Sequence, residues 1–328
     1  MDCCRKLIRI IIGVTTGIAV LTGCRDHPSL LPRSGGEPYE VLLMTDNTEA
    51  RALADSVLTE EVEGLPQSES LCQVSHATQT ALNQSTRYAR CIVTVRIGKT
   101  YPRTAIRYEK NVYAEPQLIV TLNTPSTERM KADMGQVAPL LTQLIDRFEL
   151  NAEADNLKRH SFRQGEEAVA KITGWRIRIP ADMTAIKRGR DFIWLSNNTP
   201  TGMRNLCVYT YPGTSLDARH YLDMRDSIMR ENIPGERPGM YMATERRVPP
   251  LQRNTREHGR TRLVTRGLWM MEGDAMGGPF VSHAIIDTAR KKVIVAEGFV
   301  YAPESKKRNK IKQLEAALYT LAPAKNQP

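Results

Sequence analysis

After residue 24 the chain has no apolar run approaching the roughly 18 residues that cross a bilayer as a helix, so a polytopic helical membrane protein is excluded. It has no Cys-x-x-Cys pair, which removes zinc ribbons and dithiol redox motifs. Its six histidines make no metal-ligand spacing, and neither a metal nor a cofactor is expected. Few cysteines remain for disulfides. Cys3, Cys4 and Cys24 lie near the N-terminus, leaving Cys72, Cys91 and Cys207 in the body. Cys72 and Cys91 could close a short loop as a disulfide in an oxidising compartment, or all three could be buried thiols behaving as small hydrophobes.

What is present begins with an export signal. Arg5, Lys6 and Arg9 supply a positive region, Ile10 to Leu21 an apolar one, and Leu21-Thr22-Gly23-Cys24 follows with the form of a lipobox. Cleavage after Gly23 would leave Cys24 as a lipid-bearing N-terminus, and more than one acyl chain makes such an anchor stable. Residues 24–38, with three prolines and Gly35-Gly36, read as a tether. Loss of Arg5, Lys6, Arg9 and Asp2 with the signal takes 46 basic and 36 acidic residues to 43 and 35, a net charge of +8. That surplus serves solubility or suits anionic headgroups and glycans. Nucleic acid is not an expected partner of an exported protein.

The body has ordinary hydrophobic (41%) and charged (25%) content, sufficient for a substantial core. The expected fold is α+β in two halves, residues 39–172 and 173–328, each a mostly antiparallel sheet packed with helices. In the first half, 39–45, 89–97 and 118–122 read as strands and 49–62 as a helix. Residues 126–150 read as a second helix, broken before Pro139. In the second half, strands are expected at 175–179, 192–195, 206–211, 262–271, 280–286 and 292–301. A helix is expected at 215–231, with Tyr221, Met224 and Ile228 on one side, and another at 306–321, with a stripe of Ile311, Leu314, Leu318 and Leu321. Both halves end on an apolar strand, a proline and a helix (Leu118–Pro125 and Val293–Pro303), an order that fits a duplication.

Residues 267–280 (Gly-Leu-Trp-Met-Met-Glu-Gly-Asp-Ala-Met-Gly-Gly-Pro-Phe) and 297–303 (Glu-Gly-Phe-Val-Tyr-Ala-Pro) resemble the signature of an exported lipoprotein family, domain of unknown function 4837. Ile179-Pro180 with residues 191–194, and the stretch from Leu31-Pro32 to the first strand, are similar to it as well. The resemblance implies a membrane-anchored envelope protein over the whole mature chain, and brings no assigned activity or catalytic residues.

Three places could carry chemistry. The stretch 272–279 holds Glu272 and Asp274 with Gly277 and Gly278, where glycine would admit close backbone approach to a ligand; it lacks the Gly-Lys-Ser/Thr ending of a phosphate loop. Glu297 shares a strand face with Val293, Val295, Phe299 and Tyr301, so it needs a partner, for which Arg262 and Arg266 are candidates. Lys306, Lys307, Arg308 and Lys310 open the last helix, where the macrodipole disfavours cations, and could contact a polyanion or headgroups. The function expected is a lipid-anchored binding or assembly module of the cell envelope, with a protein or glycan partner and the outer membrane favoured. The alternative is an envelope hydrolase using the acids near 272–279.

Overall fold

Apolar alternation starts the body at β1 (Glu40–Met44), and Asn47 turns the chain into α1 (Thr48–Leu58), its side-chain oxygen accepting the Ala50 amide at 2.8 Å. β2 (Gln73–Ala77), β3 (Cys91–Ile97), β4 (Ala105–Lys110) and β5 (Leu118–Thr124) follow, and then α2 (Thr127–Arg159). The strands form one sheet in the order β2-β1-β3-β5-β4. Val41, Leu43, Val93, Val95, Val120 and Leu122 pack beneath α1 and α2. The computed structural model describes residues 30–83, 85–200, 202–257 and 259–324. The expected signal segment 1–23, Cys24 and the start of the expected tether lie outside the described residues. The remainder of the expected tether is docked: Ser34 N donates to Glu115 O, Gly35 N to Tyr88 O, and Glu115 N to Pro32 O.

The second half begins with α3 (Arg163–Thr173), closed by Gly174 in the left-handed region, and β6 (Trp175–Arg176). Next come β7 (Ala185–Gly189), β8 (Phe192–Ser196), β9 (Met203–Pro212), α4 (Ala218–Asn232), β10 (Tyr241–Thr244) and β11 (Leu251–Glu257). β12 (Arg260–Glu272), β13 (Gly277–Asp287), β14 (Lys292–Tyr301), α5 (Arg308–Tyr319) and β15 (Ala322–Pro323) complete it. The main sheet runs β10-β12-β13-β14-β9-β8-β7, with β11 also on β12, and every pairing in it is antiparallel. α3 and α5 cover one face, against Leu206, Val208, Val281, Ile285, Ile294 and Ala296. α4 covers the other, against Tyr209, Phe280, Val293, Val295 and Phe299. Two covered faces explain why β13 and β14 are buried almost throughout. At Gly298 a Cβ would lie 2.6 Å from Leu314 Cβ, so glycine sets how closely α5 lies on β14.

The α+β class holds, with three corrections of detail. The first sheet is mostly parallel, since β2 and β3 run parallel to β1 and β5 runs parallel to β3; only β4 is antiparallel. Helix α1 makes the crossover that a parallel β1–β2 pair needs. A duplication of one unit does not fit this difference between the sheets. Helix α2 also passes through Pro139 unbroken. The proline costs about 3 kcal/mol. Burial of Leu141, Ile145 and Phe148 beyond it offsets that, at roughly 1.5–3 kcal/mol each. Finally, Cys72, Cys91 and Cys207 are free and buried, so the Cys72–Cys91 disulfide is not formed. Burial pushes the Cys72 thiol up to about 12.

Candidate functional site: two buried ionic networks

Glu297 is sealed. Asp217 caps α4 by accepting the His220 amide at 2.7 Å, and Tyr221, Arg225 and Met229, four residues apart, turn toward the sheet. The buried stripe therefore includes an arginine, and Met224 and Ile228, expected on that side, are partly buried and pack against the same core. Arg225 donates to Glu297 through two nitrogens, at 2.9 and 2.6 Å, and to Thr244 Oγ1 at 2.9 Å. Its guanidinium lies 4.0 Å from the Phe280 ring centroid. Both ionic side chains have 0% exposure. Ser282 stands opposite Glu297 in the sheet and shares a 2.6 Å hydrogen bond with the Tyr221 hydroxyl. Burial raises the Glu297 pKa while the charge and hydrogen bonds of Arg225 pull it down. Asp226 Oδ1 accepts from Thr244 N and Oγ1 at 2.8 and 2.6 Å and holds the far side of the network.

The expected partners, Arg262 and Arg266, are not the ones used, because strand parity sends them to the other face. In the β12–β13 register they stand opposite Ile285 and Val281, which pack on the α3–α5 side. Arg262 reaches the end of α5, within 3.3 Å of Leu318 O and 3.4 Å of Leu321 O, and lies 3.2 Å from His283 Nδ1. His283 has no exposure, and burial followed by the Arg262 and Arg266 charges lowers its pKa well below the usual imidazole value.

Within the 272–279 stretch, residues 273–276 make a tight turn, while Glu272 ends β12 and residues 277–279 already belong to β13. Met271 N donates to Met276 O at 2.8 Å and Asp274 N to Met271 O at 3.1 Å. Asp274 is exposed and Glu272 half-buried, so neither shares the sealed environment of Glu297. The glycines answer to backbone crowding. A Cβ on Gly278 would meet Val300 O at 2.1 Å, and one on Gly277 would meet Trp269 O at 2.9 Å. Hollows of about 620 Å³ beside Trp175 and about 1000 Å³ between α2, α3 and β6 are lined by none of Glu272, Asp274 or Glu297.

The basic run is likewise turned inward. Lys307 is 3% and Arg308 8% exposed, Lys310 is half-buried, and only Lys306 is exposed. The Glu69 carboxylate, brought by the segment between α1 and β2, accepts the Lys307 and Arg308 amides at 2.7 and 3.0 Å. It supplies the anion that the N-terminus of α5 lacks in its own sequence. Arg308 Nη1 donates to Ser70 O at 2.7 Å. One and two turns further on, Lys312 pairs with Asp146 of α2 at 2.7 Å and with Glu315 at 3.5 Å, and Arg266 also binds Glu315. Tyr39 OH donates to Asp146 at 2.8 Å, and Arg90 pairs with Glu149 at 2.7 Å. This seam fastens the two sheets to each other. A hollow of about 360 Å³ above it is lined by Glu60, Glu61, Glu63, Asp146, Arg266 and Lys312. The sequence pattern missed the seam because charged residues in an amphipathic helix ordinarily face water.

Among the described residues, no group of three or more His, Cys, Asp or Glu side chains is placed to hold a metal ion, and no helix is long and apolar enough to cross a membrane. Residues 163–320 match the family model of the domain of unknown function DUF4837. Residues 34–158 match a different one, the domain of unknown function DUF8532. The DUF4837 signature therefore does not extend over the whole mature chain, as the resemblance of Leu31-Pro32 and its neighbours implied. No curated protein matches the chain. A crystal structure from Bacteroides thetaiotaomicron VPI-5482 at 1.50 Å resolution is similar at 15% identity and a TM-score of 0.27, covering 47% of this chain and 46% of that one, so the chain spans about half the length of that protein. The part of the chain similar to DUF4837, residues 163–320, includes β12, β13, β14 and α5.

Proposed function

We propose that this protein is a lipid-anchored component of the bacterial cell envelope, favouring the outer membrane, whose body is a binding or assembly module for an envelope protein or glycan. The observation that carries the reading is Leu21-Thr22-Gly23-Cys24 at the end of an apolar run that follows Arg5, Lys6 and Arg9. Two features of the body support it. The chain enters the body at a single edge, through Pro32 to Gly35, so a short tether at that edge would leave the rest of the surface free. Glu297, the acid that the sequence places on an apolar strand face, is committed to Arg225 with no exposure, and a general acid must reach its substrate.

Fractionation of cells carrying Cys24→Ala tests the anchor. The variant is expected to leave the membrane fraction or to accumulate as unprocessed precursor. Processed protein of unchanged size still in the membrane would refute lipid attachment. Chemical cross-linking of the anchored protein in its own envelope tests the binding role, with a discrete, reproducible adduct expected and only monomer counting against it.

A further inference from the structure

The face on which the tether lands is built differently from the rest of the first sheet. Strands β1, β3 and β5 all start at that end, and three chain segments are tied together there. Gln117, with no exposure, donates to Arg87 O at 2.7 Å and Ala89 O at 2.8 Å and accepts the Tyr113 amide at 2.9 Å. Gly35 N donates to Tyr88 O and Arg90 N to Gly35 O, both at 2.9 Å. The Arg87 guanidinium lies 4.9 Å from the Tyr88 ring centroid and 5.9 Å from that of Tyr113. Around this cluster stand exposed Arg33, Lys110 and Val112, the last 37% exposed.

We infer that this end of the body, carrying Arg33, Arg87, Tyr88, Lys110, Val112 and Tyr113, is a contact face for the surface of a lipid bilayer. The inference rests on the lipid anchor proposed above. Arg33 is nine positions after Cys24, so the face lies within about 30 Å of the anchored cysteine even if that stretch is fully extended. A link this short maintains an effective concentration on the order of millimolar, enough for weak contacts to be populated. The chemistry suits an interface: tyrosine has an apolar body and a polar tip, and arginine and lysine keep their charge in water while their stems lie on apolar surface. Charge is not the main force. Glu109 and Glu115 stand among Arg33, Arg87 and Lys110, so long-range attraction is small and contact depends on the tether and the aromatic and apolar groups.

The test uses the lipidated protein, purified from membranes and reconstituted into phosphatidylethanolamine–phosphatidylglycerol vesicles containing a headgroup-attached fluorescence quencher. Val112→Cys and Thr100→Cys are labelled separately with an environment-sensitive fluorophore. Thr100 is exposed and follows β3, at the opposite end of the sheet from Val112. The buried thiols Cys72, Cys91 and Cys207 have raised pKa values and resist labelling. The expected result is loss of emission from the label at 112, no loss at 100, and persistence of that contrast at about 1 M salt, where the screening length is roughly 3 Å. Equal quenching at both positions, or at neither, with the protein still floating with the vesicles would overturn the contact face and leave the anchor standing. Failure of the protein to float with the vesicles would overturn both.

Discussion

The two buried ionic networks use the same chemistry in different settings. Arg225–Glu297 lies inside the second half, beneath one helix, with no exposure on either side chain. The seam of Asp146, Lys312, Glu315 and Arg266 lies between the halves and keeps some exposure at Asp146 (28%) and Arg266 (27%). A fully desolvated pair gains little over an apolar replacement of the same volume, because desolvation consumes the Coulomb attraction. Its use is to specify an arrangement: α4 docks only where Arg225 can reach Glu297, Thr244 and the Phe280 ring. A partly wet seam of several charges incurs less desolvation and can add net stability to the contact between sheets.

The largest expected effect is the loss of one member of the dry pair. Glu297→Ala or Arg225→Ala should cost about 3–5 kcal/mol, since each leaves a buried charge without its partner. Urea unfolding measures this, and the double replacement Arg225→Met with Glu297→Leu should recover most of the loss. If the double variant is as unstable as the singles, the pair contributes more than specification.

The seam should respond less steeply. Lys312→Met leaves Glu315 with Arg266 and Asp146 with Tyr39, so a cost of roughly 1–3 kcal/mol is expected. Glu69→Ala removes the acceptor for two helix amides and should cost about 1–2 kcal/mol. Limited proteolysis should detect the second change as faster cleavage between residues 60 and 70. Cleavage at the wild-type rate would show that Glu69 does not hold that segment to α5.

The pH dependence follows from His283. Its folded pKa is depressed by burial and by Arg262 and Arg266. As pH falls through about 6.5, the ordinary imidazole value, the unfolded chain takes up a proton that the folded chain refuses. Stability should therefore decline from neutral pH toward pH 5, and His283→Gln should flatten that part of the curve. Glu315 acts lower. Its folded pKa is depressed, against its burial, by Lys312 and Arg266, so its contribution is complete above the normal carboxylate range and fades as pH falls below it. An unchanged pH profile in His283→Gln would remove the histidine from the account. The smallest effect belongs to the turn: Asp274→Asn, on an exposed residue, should alter stability by less than about 0.5 kcal/mol.

Legibility followed burial. Strands β1, β3, β5, β9, β12, β13 and β14 were visible as apolar runs because both of their neighbours, or a covering helix, require apolar side chains. β2, β4, β7 and β11 carry mostly exposed residues, and β10 is four residues long inside a Pro- and Gly-rich stretch. As short or edge strands they leave no periodic signal. Strand parity placed Glu297 on an apolar face and required a partner for it. The partner's identity was not legible, since Arg225 lies 72 positions away on another element and reads as a surface residue of α4. The direction of the first sheet was hidden for a similar reason, because a run of valines and isoleucines does not say whether its neighbour is parallel. The reading of Leu21-Thr22-Gly23-Cys24 as a lipobox rests on a local motif and does not depend on the fold.

The anchor can be tested most directly by intact mass and N-terminal peptide analysis of the mature protein purified from membranes. The expected N-terminus is Cys24 carrying a thioether-linked diacylglycerol, with the first 23 residues absent. A membrane-derived protein that retains residues 1–23, or that begins at Cys24 without lipid, would contradict it.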